Sequence, residues 1–138
     1  GLAVVNEKIN SYIEDKYSVL LKFEKNICEE LLKLIKDRRN FDFTCGCKLN
    51  NLMQELSPID EDFKIALEKV YIRFENIIEE VLNKAVKNGE IKHNDTKALS
   101  MFVVASIEGC LGTAKKSQDG NYFQTCISQL EQFLNSLK

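Results

Sequence analysis

Apolar residues recur along this chain at steps of three and four, the spacing of an amphipathic helix. Connections containing Gly, Asn or Asp separate the apolar stripes. The pattern therefore predicts an all-α bundle of about six helices. Five are expected over residues 1–16, 18–39, 48–56, 58–88 and 122–137, and one runs from Asp95 to the turn at residues 118–121.

Several predicted helix ends carry residues typical of caps. Ser18 is the expected N-cap of the second helix, and Ser57 that of the fourth, where Pro58 occupies the first helical position. Gly89 is expected to end the fourth helix in a left-handed conformation. Asp95 is the expected N-cap of the fifth.

The last two helices differ from the others in their side chains. Small residues follow one side of the fifth helix, and Phe102 is also among its expected buried positions. Two of the small residues, Gly109 and Gly112, each cost about 1 kcal/mol of helix stability against Ala. The sixth helix is apolar over a wide arc. Both helices could simply face the core, but the pair also suits a four-helix packing between two copies across a two-fold axis. The residues predicted to make that contact are Ser106, Gly109, Cys110, Thr113, Tyr122, Cys126, Leu130, Phe133 and Leu137.

Composition narrows the classes of protein. The 138 residues are 44% hydrophobic and 29% charged, as in one globular domain. A net charge of -2 argues against direct binding of nucleic acid, which needs a concentrated basic surface. We find no apolar run near the roughly 18 residues of a membrane span and no signal peptide. We expect a cytoplasmic protein in which the five cysteines are reduced thiols.

The sequence offers little for catalysis or for a metal. Cys45 and Cys47 flank a single glycine, but a metal site would need two more soft ligands, and no spacing supplies them. Two interpretations of this pair stay open: a structural or pocket-lining role, and a role in thiol chemistry. His93 is the only histidine, and it lies in a polar connector. We therefore expect no enzyme activity, no cofactor and no metal.

Four stretches together resemble the TetR-type transcriptional regulators. They are Gly-Leu-Ala-Val-Val at residues 1–5, Cys-Gly-Cys-Lys-Leu-Asn-Asn-Leu at 45–52 with Gln-Glu-Leu-Ser at 54–57, Asn-Gly-Glu-Ile at 88–91 with Asp95, and Ile-Glu-Gly-Cys at 107–110 with Ala-Lys at 114–115. Their order and spacing match the regulatory domain of one subgroup. The resemblance spans nearly the whole chain.

The resemblance implies a fold and a role for residues 1–138. Such a domain is all-helical, dimerises through its last two helices and holds a small, mostly apolar or aromatic ligand among the earlier ones. Ligand binding changes the spacing of two helix-turn-helix heads and releases DNA. The head is absent from this chain, so DNA is expected to be bound only through that missing domain, and no membrane is expected as a partner.

The resemblance also suggests ligand-binding residues. Gly46, Cys47, Asn51, Leu52 and Glu55 match the subgroup's motif, which we interpret as one pocket wall. Helical geometry adds further candidates. One of them, Glu108, is interpreted either as a solvent-facing side chain or as a polar group inside a cavity or interface. The predicted ligand-binding residues are Phe23, Cys47, Asn51, Leu52, Phe74, Met101, Ala105 and Glu108. Two alternatives remain, a redox-sensing variant that uses Cys45 or Cys47 and a helical adaptor for protein partners.

Overall fold

The structure is a computed structural model that describes residues 15–37, 61–117 and 120–138. Within these ranges the chain forms helices and short connections without any strand, which confirms the all-α prediction. Residues 15–17 are helical, as expected for the end of the first predicted helix, but the helix predicted at 48–56 and the capping residues at 57–60 lie outside the described ranges. The elements are a 3-10 helix at Ser18–Lys22, α1 at Ile27–Lys36, α2 at Glu61–Lys87, α3 at Thr96–Ser117 and α4 at Gly120–Asn135.

The single helix predicted over residues 18–39 was wrong. Ser18 is the first residue of the 3-10 helix and not an N-cap, which is Tyr17. The backbone is extended at Phe23 and left-handed at Asn26, where φ is 57°, before α1 begins. Asn is one of the few residues that tolerate this conformation, and it cannot continue a helix there.

Distant residues stabilise this break. Lys84 Nζ donates to the Leu21 carbonyl at 2.7 Å, and Asn88 Nδ2 donates to the Glu24 carbonyl at 3.0 Å. These bonds satisfy carbonyl groups that a continuous helix would have paired internally. The break therefore depends on residues more than sixty positions away, which a local pattern does not contain.

A carboxylate from the α2–α3 connection caps α1. The Cys28 backbone N–H, in the first turn, donates to Glu90 Oε1 at 3.0 Å, whereas the N-cap residue Asn26 makes no side-chain capping bond. An acidic group at this end also meets the positive end of the helix dipole. Glu90 thus joins α1 to the end of α2.

Replacing Glu90 with Ala should lower the free energy of unfolding by about 1–2 kcal/mol, the usual cost of a lost N-cap. Urea unfolding followed by circular dichroism measures this loss. Glu90→Gln is the control, because its amide oxygen still accepts from the Cys28 N–H, and it should lose less. Equal losses in the two variants would contradict the capping role.

Both predicted helix signals around the α2–α3 connection are confirmed. Gly89 has φ of 77°, and the Gly89 and Glu90 N–H groups donate to the carbonyls of Val86 and Ala85, the bonding pattern of a Schellman end. Asp95 caps α3, because its carboxylate accepts from the Ala98 N–H at 3.0 Å. Together they fix the turn between the two long helices.

In the described part of the chain, α1 to α4 enclose one core. α3 packs against both α2 and α4, and α1 also contacts α2 and α4. The largest fully buried side chains come from all four of these helices, from the residue before the 3-10 helix and from the α2–α3 connection. They are Tyr17, Ile27, Leu31, Ile35, Ile78, Leu82, Ile91, Ile107 and Phe123.

The sequence predicted no apolar run of membrane-spanning length, and this was wrong. Judged by length and composition alone, Thr96–Ala114 in α3 is long enough and apolar enough to span a membrane. Half of this stretch is buried inside the described fold, and the core helix of a soluble protein passes the same test. The segment is therefore weak evidence for a span.

Candidate functional site

The outer sides of α3 and α4 form an open groove of about 410 Å³. Phe102 and small residues of α3 lie on one side of it, and mostly larger residues of α4 lie on the other. Eight of the nine residues predicted for dimerisation line this groove, and Leu137 is instead partly buried against the core. The full lining is Phe102, Ser106, Gly109, Cys110, Thr113, Tyr122, Cys126, Gln129, Leu130 and Phe133.

Three aromatic side chains are exposed along the groove. The exposed fraction is 51% for Phe102, 47% for Tyr122 and 38% for Phe133. Phe102 and Phe133 contact each other edge to face across the two helices, with ring centroids 5.2 Å apart. An exposed apolar surface with several aromatic side chains is typical of a protein interface.

Phe102 and Gln129 belong to the groove but were not among the predicted contact residues. Phe102 was expected to be buried, and this was wrong, because its ring lies outside the core against Phe133. Helical spacing could have identified both. Phe102, Ser106 and Gly109 follow steps of four and three along α3, and Cys126, Gln129 and Phe133 follow steps of three and four along α4.

A disulfide joins α3 to α4 in this groove. Cys110 and Cys126 are bonded, with their Cα atoms 5.7 Å apart, which corrects the expectation of five reduced thiols. Among the described residues Cys28 is the free cysteine, and burial together with the Glu90 carboxylate raises the pKa of its thiol. A thiol held protonated in this way is a poor nucleophile. Cys45 and Cys47 lie outside the described residues.

Comparison with known proteins identifies the family. A family model for the C-terminal domain of LmrA/YxaF-like transcriptional regulators matches residues 25–129, most of the chain. The chain belongs to this TetR-type family. Its members are transcriptional regulators, so the family supports regulation of transcription rather than catalysis as the role of this domain.

A curated relative supports the same assignment for the TetR-type domain. The chain is 28% identical over 134 residues to an uncharacterized HTH-type transcriptional regulator in the lacX 3′ region of Lactococcus lactis subsp. lactis. The alignment covers 94% of this chain and 67% of that relative. No solved structure gave a significant match.

The predicted ligand-binding residues of this TetR-type domain occupy different environments. Phe74 lies in the core, 2% exposed, with its ring 4.7 Å from that of Tyr17. Phe23 is 38% exposed at the end of the 3-10 helix, and Met101 and Ala105 are exposed on α3. Cys47, Asn51 and Leu52 lie outside the described residues. The described part of the chain does not test whether these residues share one pocket.

Glu108 is buried, with only 6% of its surface exposed. Its neighbours one turn away on the same side of α3, Val104 and Leu111, are also buried. The interpretation of Glu108 as a solvent-facing side chain was therefore wrong, and the interpretation as a polar group inside the protein remains. A carboxylate in such a place is unusual and costly, because burial disfavours its charged form.

A second, more polar groove lies beside the 3-10 helix. It measures about 380 Å³ and is bordered by α2, which contributes both basic and acidic side chains. None of the predicted ligand-binding residues lines it. The lining is Ser18, Leu21, Lys69, Ile72, Arg73, Asn76, Ile77 and Glu80.

Proposed function

We propose that this chain is the dimerising, ligand-sensing domain of a TetR-type transcriptional repressor. The main support for the proposal is the groove between α3 and α4, where small residues and exposed aromatic rings lie on one surface. A second copy of the chain is its occupant. Two copies related by a two-fold axis would place α3 and α4 of each in a four-helix packing.

The side chains that line the groove suit a two-fold contact. In such a contact the same patch must supply both the protruding groups and the surface that receives them. Phe102, Tyr122 and Phe133 protrude, whereas Ser106 and Gly109 leave room for a side chain from the partner. Burying the exposed part of such a ring contributes at most about 1.5–3 kcal/mol, and two-fold symmetry repeats each contact.

Gly109 has no internal reason to be glycine. A Cβ built at this position meets nothing within 4 Å, and the residue lies inside α3 without a positive φ. Glycine there costs about 1 kcal/mol of helix stability against alanine. Close approach of a helix from outside the chain supplies the missing reason.

Gly109→Ala should therefore have opposite effects on folding and on dimerisation. The dilute monomer should gain up to about 1 kcal/mol in free energy of unfolding from helix propensity. The dimer dissociation constant should rise about tenfold, because the new methyl group separates the two helices. Urea unfolding and sedimentation measure the two effects, and a dimer of unchanged affinity would contradict a close helix contact at Gly109.

We propose that a small apolar or aromatic ligand acts by shifting a population of helix packings. A ligand can shift such an equilibrium only by the difference between its affinities for the two states. Buried Glu108 and exposed Met101 and Ala105 on α3 support a site beside the dimer contact, since one helix carries both sets. Movement of α3 would then change the distance between two helix-turn-helix heads and hence the affinity for DNA.

Native mass spectrometry of the purified chain tests the combined proposal. The expected spectrum shows twice the 15.8 kDa chain mass, with additional peaks for a retained small molecule. Screening of small aromatic compounds by thermal shift complements it, and Met101→Glu should abolish any saturable shift without changing the dimer mass. A dimer that binds none of these compounds would instead favour the adaptor alternative.

Thiol sensing by Cys45 or Cys47 remains a prediction from the sequence. Both residues lie outside the described ranges, so the contacts, burial and charges of the described residues neither support nor oppose that function for them.

A further inference from the structure

The Cys110–Cys126 disulfide lies within the proposed dimer contact. It connects residues sixteen positions apart and closes the α3–α4 hairpin. Both cysteines line the groove together with Gly109 and Phe133. The bond therefore crosslinks the two helices on the side where a second copy would bind.

The disulfide also adds to what holds α4 in place. On the side away from the groove, α4 is fixed by its core residues and by α1, through the Lys36–Glu131 ion pair at 2.8 Å and the bond from Gln124 Nε2 to the Lys36 carbonyl at 3.2 Å. On the groove side, the Cys110–Cys126 bond and the contact between the Phe102 and Phe133 rings join α4 to α3.

We propose that Cys110 and Cys126 form a thiol–disulfide switch that sets the affinity of the dimer. The inference rests on the proposed dimerisation through α3 and α4. The oxidised hairpin holds the groove in the shape that a second copy recognises, and a surface organised before binding gives higher affinity. The reduced hairpin samples several helix separations and binds its partner more weakly.

Position in the groove determines how the bond forms. Cys126 is partly exposed, whereas Cys110 is 3% exposed, so the Cys126 thiolate is the group that an oxidant meets first. It attacks a low-molecular-weight disulfide and releases one thiol, leaving a mixed disulfide on Cys126. The Cys110 thiolate then attacks that sulfur and releases the second thiol. Two protein thiols are oxidised, and one small disulfide is reduced to two thiols.

The compartment expected for a transcriptional regulator makes such a bond reversible. Cytosolic thiols are kept reduced, and cytosolic disulfides in most organisms are transient, catalytic or redox-sensing. Because a dimer covers the groove, exchange proceeds from the monomer. Linkage then requires that dimerisation favour the oxidised form by the same factor that oxidation favours the dimer.

Sedimentation of the full chain in two redox states tests this switch. Cys45→Ser and Cys47→Ser are introduced first, so that these thiols do not take part in exchange. The dimer dissociation constant is then measured with dithiothreitol and with glutathione disulfide, while mass spectrometry after alkylation reports the state of Cys110 and Cys126. The reduced chain should dissociate at least about tenfold more readily than the oxidised one.

Two further variants separate the switch from general effects of thiols. Cys126→Ser should behave as the reduced chain in both reagents, and Cys28→Ala, which removes a buried cysteine outside the groove, should respond like its parent. Equal dissociation constants in both states, or thiols at positions 110 and 126 that glutathione disulfide does not oxidise, would overturn the switch and leave the proposed function standing. A monomer in both states would overturn the proposed function itself.

Discussion

Phe133→Lys should raise the dimer dissociation constant by at least about a hundredfold, equivalent to roughly 2.7 kcal/mol. The substitution removes the ring that packs against Phe102 and places a charge in an apolar groove. Buried aromatic residues near the centre of an interface carry much of its binding energy, and a charge buried without a partner is costly. Sedimentation velocity over a dilution series measures the change.

Asn135→Lys is the matched control for this charge. Asn135 is exposed on the same helix and lies two residues further, roughly 200° around its axis from Phe133. Both new cations lie near the C-terminal end of α4, where they interact favourably with the helix dipole. The control should dimerise like the parent chain, and similar weakening in both variants would indicate an effect of charge in general rather than of this surface.

Phe123→Ala should lower the free energy of unfolding by about 3–5 kcal/mol, the usual cost of removing a buried phenylalanine. Phe123 is 0% exposed and lies in the core between the helices. The loss is a large share of the roughly 5–15 kcal/mol that stabilises an ordinary domain. Urea unfolding, at a concentration low enough for the parent chain to be monomeric, measures it.

Tyr122→Ala provides the opposite case on the adjacent residue. Tyr122 is 47% exposed and lines the groove, so its removal should change the stability of the monomer little and weaken the dimer. The two substitutions together distinguish the inner side of α4 from its outer side. A large loss of monomer stability in Tyr122→Ala would mean that the ring is part of the core after all.

Helix ends specified by neighbouring residues were predictable from the sequence. Gly89 ends α2 because its positive φ is unfavourable for other residues, and Asp95 begins α3 because its carboxylate reaches the N–H three positions later. Both signals act over one helical turn, so the sequence contains all the information that they need.

Features that depend on distant residues were not predictable in the same way. The 3-10 helix and the break at Asn26 are stabilised by Lys84, Asn88 and Glu90, which a local pattern does not connect with residues 18–28. The pairing of Cys110 with Cys126 is equally non-local, since spacing alone does not reveal which of five cysteines meet.

The candidate interface was predictable to a greater extent than the candidate pocket. Residues of one helical stripe necessarily share a side, so Ser106, Gly109 and Thr113 were placed correctly together. A ligand pocket instead needs several elements in a known arrangement, and part of its predicted wall lies outside the described residues. Burial of Glu108 was the point at which the structure decided between two interpretations that helical geometry had left open.

Sedimentation velocity of the unmodified chain is the decisive measurement, because every part of the proposed mechanism requires two copies. At tens of micromolar we expect a species of twice the 15.8 kDa chain mass that dissociates on dilution. A single species of one chain mass over the whole concentration range would contradict it.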